Sequence, residues 1–265
     1  MECSIPKKIF AFIETKPEEK IYEVCITLKD VPGAVSKTAE ILSAANANLR
    51  TSTLFDAVEQ DNTGYWTSFI DVSKAKKNIG QIEKEIRNLD VVKDVRIVRP
   101  KPLNYDVIHF PIKFGNSTAM IMPVELFGSL FEETEKILTP SGFAAVFYNA
   151  GKKSGTYITQ LNMMRYGLAG EDLVAALRQS TQALGWGQIK EIKLDMSRPF
   201  CTLKIEKCFE AVLRGRRKEA ACHWTRGFIA GFLSPVVGKP LEAIELKCAA
   251  AGDELCEFEI STRMQ

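Results

Sequence analysis

The sequence predicts a mixed α+β protein built from two domains, on the basis of two different patterns and the segment between them. Residues 20–100 alternate strand-like segments with two amphipathic helical segments. Residues 107–262 instead show a short hairpin, several long helical segments and a closing group of strands. Between these patterns, residues 99–107 contain two prolines and little apolar periodicity, which is typical of a linker. We therefore assign a first domain to residues 1–100 and a second domain to residues 101–265.

The segments of the first domain follow the order β-α-β-β-α-β. The first helix follows a turn at Pro32-Gly33, and apolar residues recur in it every three or four positions. This order is that of the ferredoxin-like arrangement, in which two helices cover one face of an antiparallel sheet. The predicted strands are 20–30, 49–58, 64–73 and 91–100, the predicted helices begin after Gly33 and at residue 79 (79–89), and the polar turn EQDNT joins the two middle strands.

The second domain is predicted to combine a helical part with a strand part, which is again an α+β fold. Long helices come first, strands follow, and one further helix, ended by Pro235 and Gly238, precedes a closing hairpin. The predicted elements are a hairpin around Gly115-Asn116, helices at 123–138, 141–160 and 170–184, strands at 189–196 and 200–213, a helix at 218–238 and a hairpin at 241–260.

Composition and charge exclude several function classes. The chain has 35 basic and 33 acidic residues, so its formal net charge of +2 gives no electrostatic footprint for nucleic acid. No apolar run reaches the roughly 20 residues that span a bilayer. The N-terminal segment lacks the pattern of a secretory signal, so we expect a soluble, cytoplasmic protein. No GxGxxG, P-loop or GxSxG motif occurs, so we do not expect an enzyme.

The turn between the first strand and the first helix carries a short motif. Asp30, Pro32 and Gly33 match a D-x-P-G pattern, and residues 20–100 resemble an ACT domain, a small regulatory module of amino-acid metabolism. The resemblance implies a homodimer paired through this domain and an amino-acid site at Asp30, Gly33 and Ala34. Glycine lets a ligand approach the backbone, and a helix N-terminus offers unpaired N–H groups to a carboxylate. The alternative is a tight strand-to-helix turn that binds nothing.

Seven cysteines are present, and two of them lie in the closing hairpin. Cys248 and Cys256 are equidistant from Gly252, so a hairpin centred there places the two thiols opposite each other. Such a pair can share a Zn²⁺ ion or form a disulfide, and a reducing compartment disfavours the disulfide. Cys222, near the start of the preceding helix, is a third candidate thiol. The alternative for any cysteine is a small buried apolar residue. That alternative suits Cys25, Cys201 and Cys208.

Residues 107–262 resemble the vinyl-reductase-like (4VR) domain. The resemblance rests on the spacing of four residues, on the helix FAAVFYNAGKKSG and on the closing segment GFIAGFLSPVVGKPLEAIELKCAAAGDELCEFEI. It implies that Cys222, Glu245, Cys248 and Cys256 hold a structural Zn²⁺ ion. Glu245 enters this set only through the resemblance, because residues three apart on a flat strand point to opposite faces. A bulge or a strong twist is needed for Glu245 and Cys248 to converge.

The same resemblance implies an internal apolar pocket. The family includes sensor domains of phenol-responsive transcription activators, and the trafficking subunits of the Bet type share its fold and hold a fatty-acyl chain. The phenol sensors use a His and a Trp to hold the phenol hydroxyl, whereas Ile205 stands roughly where that Trp is expected. We therefore expect a more apolar guest than phenol. The alternative is that these side chains form an ordinary core. The predicted pocket residues are Phe127, Phe131, Phe147, Tyr148, Leu203 and Ile205.

Together these patterns predict a ligand-sensing regulatory protein. A zinc-stabilised second domain would enclose a small, mostly apolar effector of aromatic, lipid-like or tetrapyrrole chemistry, while the ACT-like domain would pair chains and offer an amino-acid site. No DNA-binding or ATPase segment is evident, so the signal would pass to an unidentified downstream protein. Two alternatives stay open. One is an enzyme or enzyme accessory in vinyl or tetrapyrrole reduction, and the other is an acyl-binding interaction scaffold.

Overall fold

The described part of the chain has a mixed α+β fold, as predicted. The computed structural model describes residues 12–13, 16, 18–55, 62–99, 104–114 and 117–262. Several predicted features fall outside this range, namely the end of the strand 49–58, most of the turn after it, the middle of the linker 99–107 and the hairpin tip at Gly115-Asn116.

The chain divides into two compact units, residues 1–120 and residues 121–265. Residues 101–120 therefore group with the first unit, and the domain boundary at residue 100 stays a prediction. Each unit contains one four-stranded antiparallel sheet. The sheet of each unit is described below with the helices that cover it.

The first unit follows the order β-α-β-β-α-β over residues 21–98. Its elements are β1 (Phe12–Ile13), β2 (Ile21–Lys29), α1 (Ala34–Ala44), β3 (Asn48–Phe55), β4 (Thr63–Asp71), α2 (Ile79–Arg87), β5 (Val92–Val98), β6 (Asn104–Tyr105), β7 (Lys113–Phe114) and β8 (Ser117–Thr118). The main sheet has the strand order β3-β4-β2-β5, and the short strands pair as β1 with β6 and β7 with β8. Assignment of this unit to the ACT family stays a prediction.

Local sequence explains where the two helices of the first unit begin. Gly33 precedes α1 with a φ of 84°, a left-handed conformation that glycine adopts without strain. The helix α2 begins with a capping box. The Asn78 side chain accepts the backbone N–H of Gln81, and the Gln81 side chain accepts the backbone N–H of Asn78. Both helices therefore start at positions that the sequence specifies locally.

The core of the first unit lies between the sheet and its two helices. Alternate residues of β2, namely Val24, Ile26 and Leu28, share this core with Leu42 of α1 and Ile82 of α2. All five side chains are at most 2% exposed. The two-residue period of the strand meets the apolar stripes of the helices at this interface.

Part of the predicted linker lies against the other face of this sheet. The carboxylate of Glu23, a buried residue of β2, accepts the backbone N–H groups of Val107 at 3.1 Å and Ile108 at 3.2 Å. Burial, followed by hydrogen bonding with Asp106, raises the pKa of Glu23 to about 7. Residues 104–109 are therefore held by a buried carboxyl group of the sheet.

The second unit combines helices with a sheet of strand order β11-β12-β10-β9. Its elements are α3 (Val124–Ile137), α4 (Pro140–Tyr166), α5 (Gly170–Ala183), β9 (Gln188–Asp195), β10 (Phe200–Glu206), α6 (Phe209–Arg214), α7 (His223–Val237), β11 (Glu242–Lys247), a 3-10 turn (Ala249–Ala251) and β12 (Cys256–Ser261). The predicted helices at 123–138 and 170–184 agree with α3 and α5 to within one residue at each end. The helix α4 runs six residues beyond the predicted end at 160, to a left-handed Gly167.

The predicted strand at 200–213 is wrong beyond Glu206. There β10 ends, Lys207 turns the chain with a φ of 53°, and the short helix α6 follows. The Phe209 N–H donates to the Trp186 carbonyl oxygen at 2.9 Å, not to a neighbouring strand. A run of six residues such as FEAVLR is too short for its apolar spacing to separate a strand from a helix. The predicted helix at 218–238 likewise begins only at His223.

Helices α4 and α7 approach closely because both carry glycine where they cross. A Cβ atom added at Gly151 or Gly155 would lie 2.1 Å from a carbonyl oxygen of α7. One added at Gly227 or Gly231 would lie 2.0 or 1.9 Å from a carbonyl oxygen of α4. Side chains cannot occupy these positions without separating the helices. This packing sets the position of α7 and of Cys222, which immediately precedes it.

No helix within the described residues combines the length and the apolar character that crossing a membrane requires.

Candidate metal centre and neighbouring cavity

Four potential metal ligands converge in the second unit. Cys222 precedes α7, Glu245 lies in β11, Cys248 follows β11, and Cys256 begins β12. Their ligand atoms all lie within 4.8 Å of one another. The three cysteines are at most 1% exposed, and Glu245 is half-buried. The structure thus brings together the four residues that the resemblance implied, and their binding of a metal stays a prediction.

The distances between sulfur atoms fit a tetrahedral zinc site. Cys222 Sγ lies 3.8 Å from Cys248 Sγ and 3.7 Å from Cys256 Sγ. With zinc–sulfur bonds of about 2.3 Å, the edge of a tetrahedron is about 3.8 Å. Three thiols and a carboxylate are also the donor types that Zn²⁺ accepts in closed, structural sites. The donor set therefore fits a structural zinc ion.

Glu245 has one oxygen that nothing in the described residues satisfies. Its Oε2 accepts the backbone N–H of Cys222 at 2.9 Å. Its Oε1 is buried and has no hydrogen-bond partner among the described residues. An unpaired buried polar atom is costly, and a bound cation removes that cost. Burial raises the pKa of the Glu245 carboxyl to about 8, which a nearby positive charge would reverse.

The thiols crowd one another in the same way. Hydrogen bonding with Cys208, followed by that with Cys248 and Cys256, raises the pKa of Cys222 above its usual range. Neighbouring buried thiols ionise together when a cation compensates their charge. The Ala249 N–H donates to Cys256 Sγ at 3.4 Å, a contact that favours a thiolate at that position.

The closing hairpin differs from the predicted one at its tip. Strands β11 and β12 pair as far as Lys247, after which the 3-10 turn begins. Cys248 is therefore not directly opposite Cys256 in the ladder. The register is irregular between Glu245 and Lys247. This is the kind of irregularity that lets Glu245 turn toward Cys248.

Sequence reasoning missed one thiol beside this cluster. Cys208 was predicted to be a small buried apolar residue, and it is fully buried. Its Sγ nevertheless lies 3.8 Å from Cys222 Sγ and 3.6 Å from Thr225 Oγ1. The turn at Lys207 places it there. Because that turn was predicted as strand, no sequence signal brought Cys208 to the cluster.

The six residues predicted to line a pocket lie in different surroundings. The rings of Phe131 and Phe147 stack with centroids 4.0 Å apart, and Phe127 meets Phe131 edge-on at 5.1 Å. The Tyr148 hydroxyl donates to a glutamate of β11. Leu203 is 0% exposed in the core around the sheet. Packing as core is what the structure shows for these residues, and a role in ligand binding stays a prediction.

A small aromatic cavity lies elsewhere in the second unit, next to Cys208. It offers about 10 Å³ to the centre of a water molecule, which is roughly the room that one water needs. The Trp186 ring meets the rings of Trp224 and Phe228 edge-on, with centroids 5.2 and 5.1 Å apart. Ile205 is the predicted pocket residue that contributes to its wall. The lining residues are Leu177, Thr181, Trp186, Ile189, Ile205, Phe209, Trp224, Thr225, Phe228 and Ile229.

The residues proposed for an amino-acid site lie together at the turn between β2 and α1. Asp30 is exposed, and its backbone N–H donates to the Asn62 carbonyl oxygen at 3.1 Å. Gly33 is exposed and left-handed, whereas Ala34 is buried. Binding of an amino acid at this turn stays a prediction.

Comparison with known proteins supports the assignment of the closing segment. The vinyl-4-reductase (4VR) domain family matches residues 201–262, which contain all four candidate ligands and Cys208. Uncharacterized protein MJ0745 of Methanocaldococcus jannaschii is 27% identical over 169 residues, which cover 60% of this chain and 81% of that protein. The predicted resemblance to the vinyl-reductase-like family is thereby confirmed for this segment.

Solved structures bear on the two units unequally. The crystal structure of the phenol-responsive sensory domain of the transcription activator PoxR with phenol is 17% identical and covers 57% of this chain and 79% of that domain, with a TM-score of 0.50. This likeness concerns the fold alone. The ACT domain from GTP pyrophosphokinase of Chlorobium tepidum is 17% identical and covers 30% of this chain and 99% of that domain, with a TM-score of 0.25. That likeness carries no argument.

Proposed function

We propose that this chain is a ligand-sensing regulatory protein whose second unit binds a small, mostly apolar effector beside a structural zinc site. One observation carries the proposal, namely the contact between the aromatic cavity and the thiol cluster. Thr225 lines the cavity and lies 3.6 Å from Cys208, which in turn contacts Cys222. A guest in the cavity would displace side chains that touch the candidate ligands. The match to the 4VR domain family and the phenol bound by the PoxR sensory domain support a sensory role.

The walls of the cavity favour a small aromatic effector among the predicted classes. Two tryptophans and two phenylalanines offer ring faces and edges to a guest ring. Of the two threonines in the wall, Thr181 donates its hydroxyl to the Leu177 carbonyl oxygen at 2.7 Å, which leaves Thr225 to meet a polar group. Because the cavity has room for about one water, the rings must separate before any guest enters. Separation for a single ring is a smaller change than separation for a lipid or a tetrapyrrole.

Zinc completes the proposal for the second unit. Cys222, Cys248 and Cys256, with the unsatisfied oxygen of Glu245, would hold one Zn²⁺ ion. Four protein ligands leave no open position for a substrate, so the ion would supply folding free energy without catalysis. A reducing cytoplasm, as the sequence led us to expect, keeps such thiols available to metal.

For the first unit we propose pairing of two chains, with an amino-acid site at Asp30, Gly33 and Ala34. The sheet of this unit has helices on one face, and the turn at Gly33 leaves the start of α1 accessible. The effector signal would then reach a downstream protein through the paired chains.

Binding of small aromatic molecules to the full-length protein tests the sensory proposal. The chain has three tryptophans, and two of them, Trp186 and Trp224, line the cavity, so intrinsic fluorescence reports on it directly. We expect toluene to change the fluorescence and to raise the melting temperature, with a smaller effect from phenol and from palmitate. The proposal fails if none of these compounds changes either quantity.

Two matched variants locate the binding site. Phe209→Leu removes a ring from the cavity wall, whereas Phe131→Leu removes one from the aromatic cluster outside it. We expect weaker toluene binding in the first variant and unchanged binding in the second, although the second lowers stability because Phe131 is 1% exposed. Equal effects of the two variants on binding would place the effector site elsewhere.

A further inference from the structure

The candidate metal centre has more donors than one tetrahedral ion uses. Besides the four residues already described, Cys208 Sγ lies 3.8 Å from Cys222 Sγ. The three sulfur atoms of Cys208, Cys248 and Cys256 therefore surround Cys222 at distances of 3.8, 3.8 and 3.7 Å. Each distance is about the edge of a zinc–thiolate tetrahedron.

We propose that Cys208 is an alternative fourth donor, through which this chain holds its metal ion by four thiolates when Glu245 does not bind it. This inference rests on the proposed zinc site and deepens it. The chain then contains two overlapping donor sets that share Cys222, Cys248 and Cys256. One set is completed by the carboxylate and the other by the thiol.

The surroundings of Cys208 suit a donor. The residue is 0% exposed, so no water competes for its sulfur. It also contacts the Cys256 thiol, a second member of the shared set. The preceding residue, Lys207, is held in the left-handed region with a φ of 53°, which costs free energy for a residue with a Cβ. That conformation ends β10 and directs the chain so that the Cys208 sulfur meets the cluster.

The surroundings of Glu245 suit a donor that can leave. It lies on β11, an edge strand of the sheet, between Ile244 and Leu246, which are 52% and 51% exposed. A single backbone N–H, that of Cys222, holds its carboxylate. A carboxylate on an exposed edge regains hydration when it moves outward, whereas a buried thiolate does not.

The two sets are equivalent in charge. Each consists of four singly charged donors, so a divalent ion and its ligands carry the same net charge in both. One proton changes place between the sets, from the Cys208 thiol to the Glu245 carboxylate. Four thiolates form a common closed zinc site, and softer divalent ions favour the all-sulfur set further.

Sulfur counts on the full-length protein test this inference. Zinc content and the number of sulfur ligands, the latter by X-ray absorption at the zinc edge, would be measured for the wild type, Cys208→Ser, Glu245→Gln and the double variant. Glu245→Gln keeps an oxygen that can accept the Cys222 N–H but weakens the fourth ligand. We expect it to retain zinc with four sulfur ligands, while Cys208→Ser retains zinc with three.

The double variant separates this inference from the proposed zinc site itself. We expect its zinc affinity to fall at least about tenfold below the sum of the two single effects, because each donor replaces the other. If Glu245→Gln binds zinc through three sulfurs, the role of Cys208 is overturned while the zinc site stands. Wild-type protein without zinc overturns the zinc site as well. Should the double variant fail to fold, the sulfur count of Glu245→Gln alone decides.

Discussion

At the scale of single residues, the candidate metal centre differs from an ordinary core in two ways. Three thiols lie at most 1% exposed and close enough to share an ion. A carboxylate oxygen of Glu245 is buried among them without a hydrogen-bond partner in the described residues. Small apolar side chains explain neither the sulfur spacing nor the unsatisfied oxygen. A cation explains both.

Removal of one candidate ligand should separate a structural zinc site from plain packing. Cys256→Ala should lower the zinc content and the melting temperature of the second unit, because a structural metal contributes folding free energy directly. Cys201→Ala is the matched control, since Cys201 is equally buried but lies outside the cluster. Metal analysis and calorimetry measure both effects. Equal melting temperatures and equal zinc content in the two variants would contradict the prediction.

The buried carboxyl group of Glu23 should give the first unit a measurable pH dependence. Burial raises its pKa from 4.5 to about 7 in the folded protein. Between these values the folded state keeps a proton that the unfolded state has lost, so this group lowers the free energy of unfolding as the pH rises from about 4.5 to about 7. Glu23→Gln should remove that contribution and flatten the pH dependence.

Thermal unfolding followed by circular dichroism at several pH values measures this effect. The exposed Glu40→Gln on α1 serves as the control and should keep the wild-type pH dependence. Identical pH profiles for the wild type and Glu23→Gln would show that the proton is not bound where the structure indicates.

At the scale of elements, the contact between α4 and α7 determines where Cys222 lies. Four glycines let the backbones of these helices touch, and α7 begins immediately after Cys222. The strands β11 and β12 bring the other three ligands to the same place. The metal centre therefore depends on a helix contact that none of its own residues makes.

A methyl group in this contact should destabilise the second unit. Gly155→Ala places a Cβ atom 2.1 Å from the Phe228 carbonyl oxygen, so the helices must separate, at a cost of about 1–3 kcal/mol. Gly80→Ala in α2 is the control, because its Cβ would meet only the Asn78 side chain at 3.4 Å. That substitution should be neutral or stabilising, since alanine favours a helix more than glycine does. Chemical denaturation compares the two, and equal stability would exclude the close contact.

At the scale of the whole molecule, two units with separate cores suggest a division of labour between pairing and sensing. We expect the full chain to be a dimer in solution, because the first unit resembles a module that pairs. Light scattering at micromolar concentration measures this directly. A monomeric mass would remove pairing from the proposed function without affecting the zinc site or the cavity.

Much of this architecture could be read from the sequence because it depends on local patterns. The strand and helix periods predicted the element order of the first unit, and Gly33 and the Asn78 capping box mark helix starts. The identity of Cys222, Glu245, Cys248 and Cys256 as a set came from their spacing and from the family resemblance. Residues that act through regular spacing or through a shared motif are visible without coordinates.

Tertiary structure decided the rest, because it depends on atoms that are distant in sequence. The turn at Lys207 is a backbone conformation with no residue signature, and it alone brings Cys208 to Cys222. The aromatic residues of α3 and α4 filled their space with one another, and the open space lies instead beside Trp186 and Trp224. Where aromatic side chains pack and where they leave room is set by the fit of several elements at once, and composition alone does not contain that information.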